Sequence, residues 1–216
     1  MTQLLINMFI AASVYALIAL SFSLIYGTTR FFHFAHGAVY AVGAYTAYVA
    51  VSMLKWGIAP AVLLAVVVAT ALGGLMEWGV YRPLRRRQAT PLVLLIASLG
   101  MYIVIQNVIS AVFGDDTKSI RTWPVVEGLP VFGARITPIQ IVIIVVTIVL
   151  FALTIIIMKR TKAGIAMRAL ACNPELARVT GMNADRVILY TFLVGSALVG
   201  AAGVLISLDT DMTPTM

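Results

Sequence analysis

The sequence has little charge, one cysteine, two histidines and no acidic cluster. Charged residues occupy 11% of 216 positions, about half the share usual in a soluble domain. With 62% hydrophobic residues and a mean hydropathy of +1.03, the class that remains is an integral membrane protein. A lone thiol, Cys172, excludes an intrachain disulfide. His33 and His36 stand three apart with no further thiol, imidazole or acid cluster nearby, so a metal site would lack ligands, and they read as interfacial or packing residues. No glycine-rich nucleotide loop or catalytic triad is present. Catalytic, cofactor-binding and metal residues are therefore expected to be none. The net charge of +7 sits in short loops beside apolar runs rather than on a polar domain, which argues against nucleic acid as a partner. Met1-Thr2-Gln3 lacks the basic residues that open a secretory signal, so the first apolar run reads as a retained helix.

What the sequence has in abundance is long apolar runs. Six are long enough to cross a membrane as helices: Leu4–Tyr26, Phe34–Leu54, Pro60–Tyr81, Pro91–Phe113, Pro138–Met158 and Val187–Leu208. They are continuously apolar rather than alternating, which favours helices over barrel strands. The expected fold is an all-α polytopic bundle forming one transmembrane domain over residues 1–216. Arg82, Arg85, Arg86 and Arg87 crowd the third loop with no acid, and Lys159, Arg160, Lys162, Arg168, Arg178 and Arg186 the fifth against Glu175 and Asp185. Between them, Gly114–Thr137 balances Lys118, Arg121 and Arg135 against Asp115, Asp116 and Glu127. The positive-inside bias then puts loops three and five in the cytoplasm, with the N-terminus and the C-terminal DTDMTPTM outside. Trp56 and Trp78 fall near opposite ends of their segments, as interfacial anchors do.

Within the spans, Gly37, Ala41, Ala44 and Tyr48 form a stripe at helical spacing, and Ser196, Gly200, Gly203 and Ser207 form another. Small residues let helices approach closely in lipid. Two readings stay open for these positions and for His36: plain packing, or the lining of a path whose helices slide. Glu77 is the single acid inside an expected span, and Arg82 lies close enough to pair with it. Gln106 and Asn107, deep in the fourth span, are expected to bond to neighbouring helices, with a substrate contact as the lesser reading. Arg85–Arg87 read as topology determinants with anionic membrane lipid as a secondary contact.

The polar interval Lys159–Arg186 contains a helix signal of its own. Asn173 is a good N-cap, Pro174 suits the first helical position, Glu175 complements the positive helix end, and Gly181 supplies a stop. The expectation is a two-turn helix over roughly Pro174–Thr180. A helix that short is not stable alone and needs another surface.

Three segments resemble the branched-chain amino acid permeases of ATP-binding-cassette importers: Tyr15–Tyr45 with FAHGAVYAVGAY, Tyr81–Arg85 (YRPLR), and Ala166–Leu205. In the last, Glu175 to Gly181 is similar to the E-A-A-x-x-x-G pattern of importer permeases, with Leu176 in second place. The resemblance implies an inner-membrane permease subunit for branched-chain or related small amino acids or amides. It also implies two cytoplasmic ATPase subunits, a second permease subunit and a periplasmic substrate-binding protein as partners. The docking geometry would fall to Asn173, Pro174, Glu175, Ala177 and Gly181, with Arg168 and Arg178 as charge partners for the ATPase. His33 departs from the asparagine usual before the FAHG segment. Family members also continue past the sixth span, so a fragment is expected in preference to a shortened variant. The rivals are a secondary transporter or channel working without an ATPase, and a non-transporting scaffold.

Overall fold

The structure, a computed structural model, describes residues 1–120, 129–131 and 134–214. Arg121 and Glu127, counted above in the balanced loop, lie outside the described residues. The helices are α1 (Thr2–Thr29), α2 (Ala35–Tyr48), α3 (Ile58–Met76), α4 (Arg82–Arg86), α5 (Pro91–Phe113), α6 (Pro138–Arg160), α7 (Lys162–Cys172), α8 (Pro174–Val179) and α9 (Ala184–Asp209). A π-helical turn, Val49–Met53, prolongs α2, and another, Glu77–Tyr81, joins α3 to α4 in one shaft.

Among the described residues, five helical stretches are long and apolar enough to cross a membrane: Thr2–Thr29, Ile58–Arg86, Pro91–Phe113, Pro138–Arg160 and Ala184–Asp209. Six were expected. The second expected span is helical through α2 and its π-helical turn, yet it falls below the apolarity of the others. The cause is its content of alanine, glycine, tyrosine and histidine. Those residues are tolerated because α2 is enclosed by α3, α5 and α9 rather than by lipid.

α9 is the axis of the bundle. Its apolar window is 78% buried, against 17% in α5 and in α6, and it packs on α1, α2, α3, α6 and α7. The outer helices turn residues such as Leu63, Val67, Val104, Val108, Ile148 and Val149 outward, as lipid contact requires. Several hydroxyls inside the spans donate to their own helix, Thr46 to Val42 O and Thr191 to Val187 O among them, whereas those of Tyr45, Thr147 and Ser196 are buried without a hydrogen-bond partner among the described residues.

Local signals set the ends. Thr137 and Gln140 form a reciprocal capping box before Pro138 at the start of α6. Thr161 caps α7 by accepting from Gly164 N at 3.0 Å, and Asn183 caps α9 by accepting from Arg186 N at 3.1 Å. At one end of the bundle the Gln3 side chain accepts from Arg135 N and donates to Arg135 O, and Lys118 exchanges backbone bonds with Met212. Here too lies a hairpin that the sequence reading did not anticipate, β1 (Leu129–Val131) antiparallel to β2 (Ala134–Ile136). At the other end stand Arg30, α4, α7, α8 and the start of α9, so the two basic loops share one end as expected.

Candidate functional site at the basic end

The short helix in the Lys159–Arg186 interval is present as α8, Pro174–Val179. Asn173 Oδ1 accepts from Glu175 N at 3.1 Å and Leu176 N at 3.0 Å, closing two open amides of the first turn. Gly181 takes φ +82°, the left-handed conformation that ends helices, and Met182 N returns to Ala177 O at 3.1 Å. Ala177 is buried and anchors α8, whereas Leu176 and Val179 are 60% and 84% exposed. α8 thus presents two apolar side chains outward from a polar end of the molecule.

The interval holds a second helix that sequence reading passed over. α7 buries Gly164, Met167 and Leu170 and exposes Ile165, Arg168 and Cys172 at three- and four-residue spacing. Its signal was legible in Thr161 followed by that period, but the run of basic residues around it reads as loop. Gly164 lies against the end of α6, where an added Cβ would sit 2.3 Å from Ile157 O. The Arg30 guanidinium donates to Ala171 O at the C-terminal end of α7, a favourable place for positive charge. Glu175 and Arg168 are exposed beside this face. Arg178 belongs to α8, and its side chain lies outside what is described.

Glu77 is paired, though not with the expected partner. Arg85 holds it through both carboxylate oxygens, and Glu77 is fully buried. The π-helical turn between them widens the helix and swings Arg85, rather than Arg82, onto the face of Glu77. Arg82 instead reaches Asp185 in the first turn of α9, Nε to carboxylate 3.1 Å. Asp185 also lies 3.4 Å from Arg86 and 3.9 Å from Arg85. Sequence reading counted Asp185 only in a charge balance, because nothing in the linear order brings it to residues a hundred positions away.

The remaining candidates are inside the bundle. His33 and His36 are buried. His33 Nδ1 meets the Tyr81 hydroxyl at 3.1 Å, and His36 Nε2 meets Ser21 Oγ at 2.7 Å. Among the described residues no group of three or more His, Cys, Asp or Glu is placed to hold a metal. Ala41 and Ala44 are buried, Tyr48 is half-buried and stacks edge-on against Phe113, and Gly37 faces Tyr102. Ser196 packs onto Gly73, Gly200 onto Ala69, and Gly203 onto the Tyr40 carbonyl. Gly43, which lies off the expected stripe, faces Gly200, whose carbonyl oxygen would lie 2.6 Å from an added Cβ. Asn107 donates to Ile103 O of its own helix at 2.7 Å and not to a neighbour, because its side of α5 faces outward.

A bundle of apolar spans around a buried axis, with a capped helix projecting apolar side chains from its basic end, defines a multi-pass membrane protein. The chain belongs to the branched-chain amino acid transport system permease component family, whose model matches residues 4–215. It is 36% identical over 218 residues to the high-affinity branched-chain amino acid transport system permease protein LivH of Escherichia coli K12, covering 94% of this chain and 70% of that protein. It is 36% identical over 222 residues to BraD, the corresponding permease protein of Pseudomonas aeruginosa, covering 96% of this chain and 71% of that one. A probable LivH of Methanocaldococcus jannaschii is 32% identical over 212 residues, 95% of this chain and 66% of that one. No solved structure matches.

Proposed function

We propose that the chain is a permease subunit of an ATP-binding-cassette importer. It moves branched-chain or related small amino acids or amides across the inner membrane, with its basic end in the cytoplasm. The observation that carries this reading is α8, a helix too short to stand alone. It is fixed to the bundle by Ala177 and offers Leu176 and Val179 outward. Two cytoplasmic ATPase subunits supply the missing surface and the driving energy, a second permease subunit completes the path, and a periplasmic binding protein delivers substrate. The chain itself catalyses nothing. Asn173 and Pro174 set where the docking helix begins, Glu175, Ala177 and Gly181 its geometry, with Arg168 and Arg178 as charge partners for the ATPase. The stripes through Ala41, Ala44, Ser196, Gly200 and Gly203 serve close helix packing, and substrate class follows the relatives.

The test is leucine uptake by the assembled complex in proteoliposomes, with ATP present on the basic side only. Uptake should require ATP and the ATPase subunits. Uptake with neither would make the chain a secondary transporter or channel. Replacing Leu176 and Val179 together by serine should leave the bundle's melting unchanged, because both are exposed. It should weaken ATPase capture on the order of tenfold or more, the usual effect of removing apolar anchors from an interface. Glu175→Lys or Gly181→Trp should leave ATP hydrolysis running while uptake stops.

A further inference from the structure

The segment that joins α8 to the spans is short and polar. After Gly181 and Met182 the chain enters α9 at Asn183, and Asp185 stands in the first helical turn. There it meets Arg82, Arg85 and Arg86 of α4 at 3.1, 3.9 and 3.4 Å. Arg85, mostly buried, is shared between Asp185 and Glu77. Glu77 opens the π-helical turn, whose ladder is shifted so that Arg82 N bonds to Glu77 O. Tyr81 closes the same turn and reaches His33 at the entry of α2. Polar contacts joined by short stretches of backbone therefore run from the end of α8 through α9 and α4 to the junction of α2.

We propose that Asp185 is the joint through which displacement of α8 reaches the π-helical turn Glu77–Tyr81. It is a positioning residue for coupling rather than a surface ion pair. This rests on the importer reading given above. An exposed ion pair contributes little to stability, but Arg85 also compensates a buried carboxylate that cannot be left alone. With Asp185 engaged, Arg85 is divided between two carboxylates and Arg82 is held. With Asp185 withdrawn, Arg85 commits to Glu77 and Arg82 is released. Those are two discrete arrangements of one element, which is what a coupling route needs. The π-helical turn is the place where the α3–α4 shaft can yield, since such turns interrupt the regular ladder. An open pocket of about 320 Å³, lined by Arg85, Arg86, Asn183, Ala184, Asp185 and Ile188, leaves room beside these side chains.

The experiment compares Asp185→Asn, Asp185→Glu and Arg82→Gln with the wild-type complex in proteoliposomes. It measures ATP hydrolysed per leucine taken up, together with assembly and melting. Asp185→Asn and Arg82→Gln should assemble and hydrolyse ATP, with uptake per ATP lower on the order of tenfold, an ordinary coupling free energy. Asp185→Glu should recover most of it. Wild-type coupling in Asp185→Asn overturns the proposal. So does a loss that tracks melting or assembly alone. Should the variants fail to assemble, amide exchange in the wild-type complex decides. The amides of Glu77 to Arg82 must change protection between nucleotide-free and ATP-bound states, and unchanged protection overturns the joint. Failure of the importer reading is distinguishable, because the wild-type complex would then show no ATP-dependent uptake at all.

Discussion

Three glycines decide how closely the central helices approach. A Cβ on Gly43 would lie 2.6 Å from Gly200 O, and one on Gly203 would lie 2.2 Å from Tyr40 O, backbone in both cases. Side chains can rotate away from such a contact, but backbone cannot, so α2 and α9 would have to separate along their length. In lipid that separation forfeits the van der Waals packing that holds helices together. Gly203→Val is expected to destabilise the protein by about 1–3 kcal/mol or more, read as a lower melting temperature in detergent. Gly100 is the control, because nothing lies within 4 Å of its added Cβ. Gly100→Ala should raise stability by about 0.5–1 kcal/mol, the ordinary helix preference. Equal melting of the two variants would refute the close-contact account. The sequence made the stripe through Ser196, Gly200 and Gly203 legible, since helical spacing is a property of one segment. It did not reveal Gly43, because its partner lies on a helix more than 150 positions later, and adjacency of distant helices leaves no local mark.

The elements themselves were legible to the degree that their surroundings are lipid. α1, α3, α5, α6 and α9 stand close to where unbroken apolar length put them. α2 was legible as a helix but falls short as a lipid-facing span, since protein encloses it. The short elements divided differently. Asn173, Pro174 and Gly181 marked α8 nearly to the residue, because caps are chemically specific. α7 was hidden, because its buried face holds only Gly164, Met167 and Leu170 within a strongly basic run. The π-helical turn at Glu77 carried no signal, and with it went the true partner of that carboxylate. α7 is testable at its junction with α6. The added Cβ of Gly164→Ala would be 2.3 Å from Ile157 O and 2.5 Å from Met158 Cα, so α7 must lift off the end of α6. The expected cost is about 1–3 kcal/mol, local to that corner. Limited proteolysis between Arg160 and Asn173 should quicken while the spans melt as before. Cleavage at the wild-type rate would show that α7 does not depend on this contact.

At the scale of the whole molecule, the charge is sorted between the two ends. Arg30, Arg82, Arg85, Arg86, Arg87, Lys159, Arg160, Lys162 and Arg168 gather where α4, α7 and α8 lie. The opposite end carries Lys118 and Arg135 beside Asp115 and Asp116. An excess of lysine and arginine next to the spans keeps a loop on the cytoplasmic side, so the end bearing α8 should face the cytoplasm. The single cysteine makes this measurable without engineering. Cys172 is an exposed free thiol at the end of α7, next to the cap of α8. A membrane-impermeant maleimide should label it in inverted vesicles and leave it untouched in intact right-side-out spheroplasts. Bound ATPase should then slow the labelling in inverted vesicles, since Cys172 shares its exposed face with Ile165 and Arg168 and directly precedes Asn173, the cap of α8. Labelling from the outer side would reverse the orientation, and α8 could then meet no ATP-hydrolysing partner in the cytoplasm. Labelling confined to the inner side but indifferent to the ATPase would keep the orientation and move the docking surface away from α7.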